Sequence, residues 1–394
     1  MRKIAISTIA AVAAGQSAPK QNEFSDSGIP FIRAGSLDYL LSGKGEAELE
    51  LVSEEAAKKY KLKLYPRGSI LFAKSGMSAT KDRIYVLQNP AYVVSHLAIL
   101  VPKNTIYAEY LRLVLIQFPP SSLIKDLAYP AISLGEIQDY KIPVPEELDD
   151  QRRIAYLLGK VERLIAQRKQ HLQQLDDLLK SVFLEMFGDP ILNPKNFPVR
   201  KLFNFYINPK EGTKCGPFGS ALKKEEFVKS GIPVWNMDNI DPAGRMVLPF
   251  SMWITEEKYQ KLRSYSVKNG DIIISRAGTV GKMCVAYMNG EPAIISSNLI
   301  RLRLGSKLRP LYVVSLMTYC KGRVGRLKTG ADGAFTHMST GILDKLEFPY
   351  PPVELQDQFI STVEKVEGIK SRYQASLTDL QTLYGALSQK AFKR

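Results

Sequence analysis

The sequence predicts an α+β protein of 394 residues in which two copies of one module are related by a pseudo-twofold axis and joined by long paired helices. Three observations carry this expectation. Ser27-Gly28-Ile29-Pro30 returns as Ser230-Gly231-Ile232-Pro233, Gly68-Ser69-Ile70-Leu71-Phe72 as Gly270-Asp271-Ile272-Ile273-Ile274, and Ile142-Pro143-Val144-Pro145 as Phe348-Pro349-Tyr350-Pro351. Each copy closes on a long amphipathic stretch that keeps a single heptad phase. Between these landmarks, short β-branched runs bounded by Gly and Pro outnumber helical patterns. Duplex DNA has dyads of its own that suit a pair of related modules.

The chain opens with Met1-Arg2-Lys3 and an apolar run from Ile4 to Ala14, which has the look of a secretory leader. The repeat argues otherwise. Arg2-Lys3-Ile4 aligns with Arg200-Lys201-Leu202, and Ile9 and Gly15 align with Ile207 and Gly212, so this segment is read as an opening strand and turn. A Gly/Pro/Lys loop follows in each copy, then a strand-like Ile-Pro run ending in polar loops at Arg33-Ala34-Gly35-Ser36 and Asn236-Met237-Asp238-Asn239. Helices are expected at 54–63 and 107–117. Residues 1–145 form the first module, 146–188 a helix, 189–352 the second module and 353–394 the second helix. No apolar run is long enough to span a bilayer, and the expected compartment is the cytoplasm.

The helices carry the strongest periodicity. Ile154, Leu158, Val161, Ile165, Arg168, Leu172, Leu175, Leu179, Val182 and Met186 step by alternating four and three, as do Phe359, Val363, Val366, Lys370, Tyr373, Leu377, Leu380, Tyr384, Leu387 and Ala391. An a/d seam held over about five heptads favours pairing of the two helices over packing of each on its own module. Arg168 and Lys370 interrupt the stripes and are expected to set register or meet another subunit. Asp149 and Asp150 suit the positive end of the first helix, and Gly188-Asp189-Pro190 ends it.

The net charge of +15 favours a polyanionic partner. Three cysteines and three histidines stand far apart, so neither a metal site nor a disulfide framework is expected. Gly278-Thr279-Val280-Gly281-Lys282 has the wrong glycine-to-lysine spacing for a phosphate loop. Asn89-Pro90-Ala91-Tyr92 lacks the second proline of an adenine-methyltransferase loop and has no accompanying cofactor motif. Both read as turns, and no catalytic residue is expected. What remains is a set of basic and polar loops at matching places. In the first module these supply Lys20, Arg33, Lys74, Ser75, Ser78, Lys81, Arg83 and His96; Tyr129 lies in the same set of loops. In the second they supply Lys214, Ser220, Asn236, Ser275, Arg276, Thr279, Lys282, Asn298 and His337. Arg and Lys can read guanine, Asn adenine, and hydroxyls can hold phosphate. Matched scaffolds carrying different loops would read two different half-sites.

Gly216-Pro217-Phe218-Gly219-Ser220-Ala221-Leu222, Gly231-Ile232-Pro233-Val234-Trp235, the run from Lys268 to Gly278 and the run from Pro349 to Gln358 stand in order along the second half, and the runs from Tyr65 to Gly76 and from Pro143 to Gln151 are weaker versions of the last two in the first half. In this order, twice, they resemble the DNA-specificity subunit of type I restriction–modification systems over nearly the whole chain. The first module departs from the pattern by lacking the Pro-Phe-Gly-Ser run. The resemblance implies two pseudo-twofold-related target-recognition domains joined by two long antiparallel coiled-coil helices, reading a bipartite asymmetric DNA site with an unread gap. It implies two methyltransferase subunits that flip and methylate adenine with S-adenosylmethionine. It also implies two restriction subunits that use ATP and Mg. This chain would bind no cofactor itself. The helix positions Ile154, Leu158, Val161, Leu172, Leu175, Leu179, Val363, Val366, Leu377, Leu380 and Leu387 would serve pairing and partner docking. Two alternatives remain, a standalone methyltransferase or nuclease recognition module and a coiled-coil scaffold unrelated to DNA.

Overall fold

The computed structural model describes residues 1–218, 221–276, 280–320 and 338–392. The chain forms two compact units, one from Met1–Lys169 with Ala375–Arg394 and one from Gln170–Gln374. The long helices are thus shared, each giving one half to each unit.

The first unit contains β1 (Arg2–Ala5), α1 (Ile6–Ile9), β2 (Ala10–Ala14), β3 (Phe24–Ser25), β4 (Ile29–Ile32), α2 (Ser36–Leu41), β5 (Leu51–Val52) and α3 (Glu54–Lys59). It continues through β6 (Ile70–Ala73), β7 (Tyr85–Val86), β8 (Tyr92–Val93), β9 (Leu97–Pro102), α4 (Ala108–Gln117), α5 (Leu134–Asp139), β10 (Lys141–Val144) and the start of α6 (Leu148–Phe187). A sheet of order β2-β9-β6-β7 lies beside one of order β3-β5-β4-β8, and β1 pairs with β10. The alternation of a strand assigns its side chains to two cores. Ile70, Phe72, Ala98 and Leu100 face one with α1, α4, α5 and the helix seam. Leu71, Ala73, Leu97 and Ile99 face the other with Phe31, Ile32 and Leu37.

The second unit repeats this plan with β11 (Val199–Lys201), β12 (Thr213–Cys215), β13 (Ile232–Trp235), β14 (Trp253–Ile254), α7 (Glu256–Lys261), β15 (Ile272–Ser275) and β16 (Met283–Val285). It ends with β17 (Ile294–Ile295), β18 (Leu299–Leu302), α8 (Pro310–Cys320), α9 (Thr340–Lys345), β19 (Glu347–Pro349) and α10 (Val353–Phe392). The sheets have orders β12-β18-β15-β16, β14-β13-β17 and β11-β19. Ile272, Ile274, Ile300 and Leu302 face the helices, and Ile273 and Leu299 face Trp235 and Ile295. One position departs from the apolar plan: Arg301 stands where β9 has Ile99. It is 1% exposed and donates to the Ser266 carbonyl at 2.7 Å. Burial and the neighbouring Arg303 guanidinium hold it below its ordinary pKa.

Hydrogen bonding corrects the register of the opening segments. Ile4 faces Ile142 and Arg200 faces Phe348, so the counterpart of Arg200 is Ile4 rather than Arg2. Gly15 and Gly216 donate to the Leu97 and Leu299 carbonyls at 3.3 and 3.0 Å, so Gly15 matches Gly216 rather than Gly212. Aligning like charges misplaced strands whose register is decided by which apolar side chains enter the core.

Both long helices begin on a buried glutamine. Gln151 Oε1 accepts from Tyr107 N at 2.8 Å while its amide donates to the Pro145 carbonyl; Gln356 accepts from Arg309 N at 2.9 Å and donates to Pro351. Every seam position of α6 and α10 is buried or half-buried, as the heptad pattern requires. In the first unit Tyr384 donates to Glu162 at 2.9 Å, and Leu387 and Ala391 pack into the core that holds Leu158. In the second, Phe359 packs on Phe183 and Phe187 with ring centroids 5.3 and 5.5 Å apart, and Tyr373 lies 5.7 Å from His171. Within each unit the two helix halves therefore run antiparallel. Lys370 crosses the seam to Asp176 and also reaches Glu367 at 3.0 Å. A buried polar residue paired across a seam in this way can fix register in a coiled coil. Arg168 is half-buried. Gly188 ends α6 at φ +75, a left-handed conformation that favours glycine.

Candidate nucleic-acid interface

In the first unit four loops meet at one end of the β2-β9-β6-β7 sheet. Lys74 follows β6, and its amide donates to the His96 carbonyl at 2.9 Å. The Ser75 hydroxyl lies 2.8 Å from His96 Nδ1. Ser95 N donates to the Gln16 carbonyl and Gly76 N to the Pro130 carbonyl, which adds the loops after β2 and before α5. Met77, Leu127 and Tyr129 stand 65%, 74% and 83% exposed around this end. Single exposed apolar groups are ordinary; what sets these three apart is that they sit on loops that meet at one end of the sheet.

The second unit builds the same end from different side chains. Arg276 N donates to the Asn298 carbonyl at 2.9 Å, the contact that Lys74 makes to His96. Lys282 returns beside them as its amide donates to Ser275 Oγ at 3.0 Å. The Arg276 guanidinium lies 4.8 Å from the ring centre of Phe218, which is 57% exposed. Glycine is required where the first loop passes the sheet. A Cβ on Gly15 would fall 2.1 Å from the Val93 carbonyl oxygen, and one on Gly216 would fall 1.8 Å from that of Ser296.

The expected contact residues thus divide. Lys74, Ser75 and His96 come together, as do Arg276, Lys282 and Asn298; Ser78 and Lys81 lie in the turn that follows Ser75, whereas Lys20 sits beside Tyr60, its amide donating to the hydroxyl at 3.4 Å. Others are held by the protein itself. Arg33 donates to Glu50 at 2.6 Å and stacks on Phe24, and Arg83 is ion-paired to Asp38 with only 14% of its side chain exposed. Asn236 caps its own turn, accepting from Asp238 N at 2.7 Å and donating to Ser251. Lys214 lies 5.1 Å from the Tyr265 ring centre. Ser275 is fully buried, which corrects its assignment to a contact surface: it is the last inward residue of β15. Ser220, Thr279 and His337 lie outside the described residues. Phe218 and Leu127 were not expected, and Met77 only as one residue of the loop from Lys74 to Arg83. Their only signal in the sequence is an apolar residue placed among glycines, serines and lysines.

The Asn89-Pro90 turn joins β7 to β8, held by the buried Glu46 carboxylate, which accepts from Gln88 N and Asn89 N at 2.8 Å each. Among the described residues no group of three His, Cys, Asp or Glu could hold a metal ion, and no helix is long and apolar enough to cross a membrane. All three cysteines are reduced.

The profile of the type I restriction modification DNA specificity domain matches residues 2–176 and 218–378, once over each copy. The chain belongs to this family. Two curated relatives from Methanocaldococcus jannaschii are similar to it. The type I restriction enzyme MjaVIII specificity subunit is 21% identical over 63% of this chain and 60% of its own length. The MjaIX specificity subunit is 28% identical over 54% of this chain and 49% of its own. The chain therefore spans under two thirds of either relative. The crystal structure of a type I restriction–modification S subunit from M. genitalium shares the fold, with a TM-score of 0.60 at 14% identity over 99% of this chain and 96% of that one. A structure reported for complex assembly and conformational transition of the type I R-M system matches with a TM-score of 0.55, at 15% identity over 99% and 97%.

Proposed function

We propose that this chain is the DNA-specificity subunit of a type I restriction–modification complex and acts in the cytoplasm. Each unit reads one half of a bipartite, asymmetric duplex target, and the long helices hold the two halves across an unread gap. The chain contributes recognition and assembly and makes or breaks no bond. Two modification subunits dock on it and methylate a flipped adenine with S-adenosylmethionine. Two ATP- and Mg-dependent restriction subunits complete the nuclease.

One observation supports this reading above the rest. The same loops recur at the same sheet end in both units, carrying Lys74, Ser75 and His96 in one and Arg276, Lys282 and Asn298 in the other. Conserved geometry with changed side chains is what two readers of different sequences require, since phosphate contacts position a protein and base contacts specify. The excess positive charge supplies the sequence-independent part of binding.

The test is a map of methylated adenines in cells with and without the gene, followed by exchange of residues 190–350 for those of another family member. The exchange should change one half of the methylated motif and leave the other. A change in both halves would refute the two-reader arrangement.

A further inference from the structure

In the second unit two loops bring a cation and a ring together on braced backbone. Gly216 N donates to the Leu299 carbonyl, Gly216 leaves no room for a Cβ, and the buried Pro217 that follows fixes the next φ. Phe218 emerges from that turn, its own carbonyl accepting from Ala221 N at 3.1 Å. Arg276 is held from the other side. Ser275 N donates to the Lys282 carbonyl at 2.8 Å, Gly281 N to the Ser275 carbonyl at 2.9 Å, and Arg276 N to the Asn298 carbonyl. The guanidinium carbon comes to rest 4.8 Å over the centre of the Phe218 ring.

Arg33, Arg83, Arg245, Arg303 and Arg309 each lie on a carboxylate of this chain. Among the described residues no carboxylate is paired with Arg276, and its Nη1 is buried without a hydrogen-bond partner. One of five donors has thus shed its water and gained no acceptor, a deficit that a ligand with paired acceptors removes. The ring covers one face of the guanidinium and leaves recognition to its edge. The first unit has no such pair. Gly15 matches Gly216 and Lys74 matches Arg276, so Ser17 stands where Phe218 does, and a point charge stands where the planar fork does.

In the major groove, guanine presents two acceptors side by side, N7 and O6, and the guanidinium fork matches both. A guanidinium bonded in this way lies in the plane of the base pair. A ring over its face then sits at the level of the neighbouring pair, because successive pairs are ~3.4 Å apart. The 4.8 Å to the ring centre is that rise with a sideways offset. The apolar group that the major groove offers at that level is the 5-methyl of thymine.

We propose that Arg276 and Phe218 read a guanine and a thymine in the adjacent base pair, within the half of the target that belongs to the second unit. The guanidinium takes N7 and O6, and the ring takes the thymine methyl while holding the guanidinium flat. This assignment rests on the function proposed above.

Competition binding tests it, using the full chain with its modification subunits and duplexes carrying the methylated motif. The half-motif that changes when residues 190–350 are exchanged should hold a guanine with thymine in a flanking pair. Replacing that thymine with deoxyuridine removes the methyl alone. Wild-type affinity should fall about 4-fold, the worth of one buried methyl, whereas Phe218→Ala should bind both duplexes equally. Arg276→Gln should lose about 5- to 150-fold of its preference for guanine at that one position. Unchanged discrimination in the other half-motif shows that both variants are folded. A half-motif without adjacent guanine and thymine, or a deoxyuridine penalty that survives in Phe218→Ala, would overturn the assignment. So would an Arg276→Lys protein weakened equally on all sequences, which is the behaviour of a phosphate contact. A wild-type complex with no sequence preference at all would instead overturn the functional reading beneath it.

Discussion

Replacing Gly216 with alanine tests how the first loop is held against the sheet. The added Cβ would sit 1.8 Å from the Ser296 carbonyl oxygen and 2.5 Å from its carbon, well inside any real contact. The obstruction is backbone, pinned from behind by Val234 and Trp235 pairing with Ile294 and Ile295, so no side chain can swing aside. The loop or the strand must move by more than an ångström. Overpacking of this kind costs about 1–3 kcal/mol, and the absence of any flexible neighbour places Gly216→Ala near the top, about 3 kcal/mol. For a unit of this size that lowers the unfolding temperature by roughly 6–12 °C. Two other glycines calibrate the scale. Gly270 has φ +85 with nothing within 4 Å, so Gly270→Ala meets only the left-handed penalty, about 1–2 kcal/mol. Gly385 lies exposed in α10 with open space around it, so Gly385→Ala should stabilise by about 0.5–1 kcal/mol. Differential scanning calorimetry should rank the four proteins as Gly385→Ala, wild type, Gly270→Ala, Gly216→Ala. A Gly216→Ala protein melting within about 2 °C of wild type would show that the close approach is not a constraint.

Three further outcomes follow from particular contacts. Phe183 is fully buried among Phe187, Tyr312, Tyr319 and Phe359, so Phe183→Ala should cost about 3–5 kcal/mol in urea unfolding, against less than about 0.5 for the exposed Leu178→Ala. Arg276→Ala should weaken DNA binding by about 1–3 kcal/mol and relax one base position if the side chain reads a base; a phosphate contact would instead weaken all sequences equally and flatten the salt dependence. Unchanged affinity and specificity would remove Arg276 from the reading face. The Glu136 carboxylate is held down at about 2 by Lys125, by the Ser133 amide and by the Ser133 hydroxyl. Its folded pKa is depressed, so its contribution is present above about pH 4.3, the unfolded value, and fades as pH falls toward 2. Glu136→Gln should flatten the stability profile in that window, and a profile superimposable on wild type would show that the carboxylate contributes nothing.

What was legible in the sequence was periodic. The heptads of α6 and α10 marked stripes that are buried or half-buried along their length, although Phe183, Phe187 and Phe392, which fill the cores at the helix ends, lie off them; the alternation in β6, β9, β15 and β18 sorts side chains between two cores. Contacts between distant segments were not legible. Arg33 and Arg83 look like free basic loop residues until Glu50 and Asp38 are brought to them, and the reach of Arg245 to Asp176 has no local signature. The site was readable as a set of loops, since Lys74 with His96 and Arg276 with Asn298 do meet, whereas which loop side chains remain available depends on partners supplied by the fold.

The division of the long helices has a consequence for biosynthesis. The core of the first unit includes Tyr384, Leu387 and Phe392, with Phe392 packed on Tyr110 and Phe118 at 6.0 and 6.4 Å. Everything in the second unit is translated before those residues exist. At ordinary rates of synthesis the segment made first waits on the order of tens of seconds with an uncovered face beside Leu158 and Ala155, while the segment made later can complete its own core sooner. The nascent chain therefore finishes its two halves in the reverse of the order in which it begins them, and the interval is when chaperones would find it.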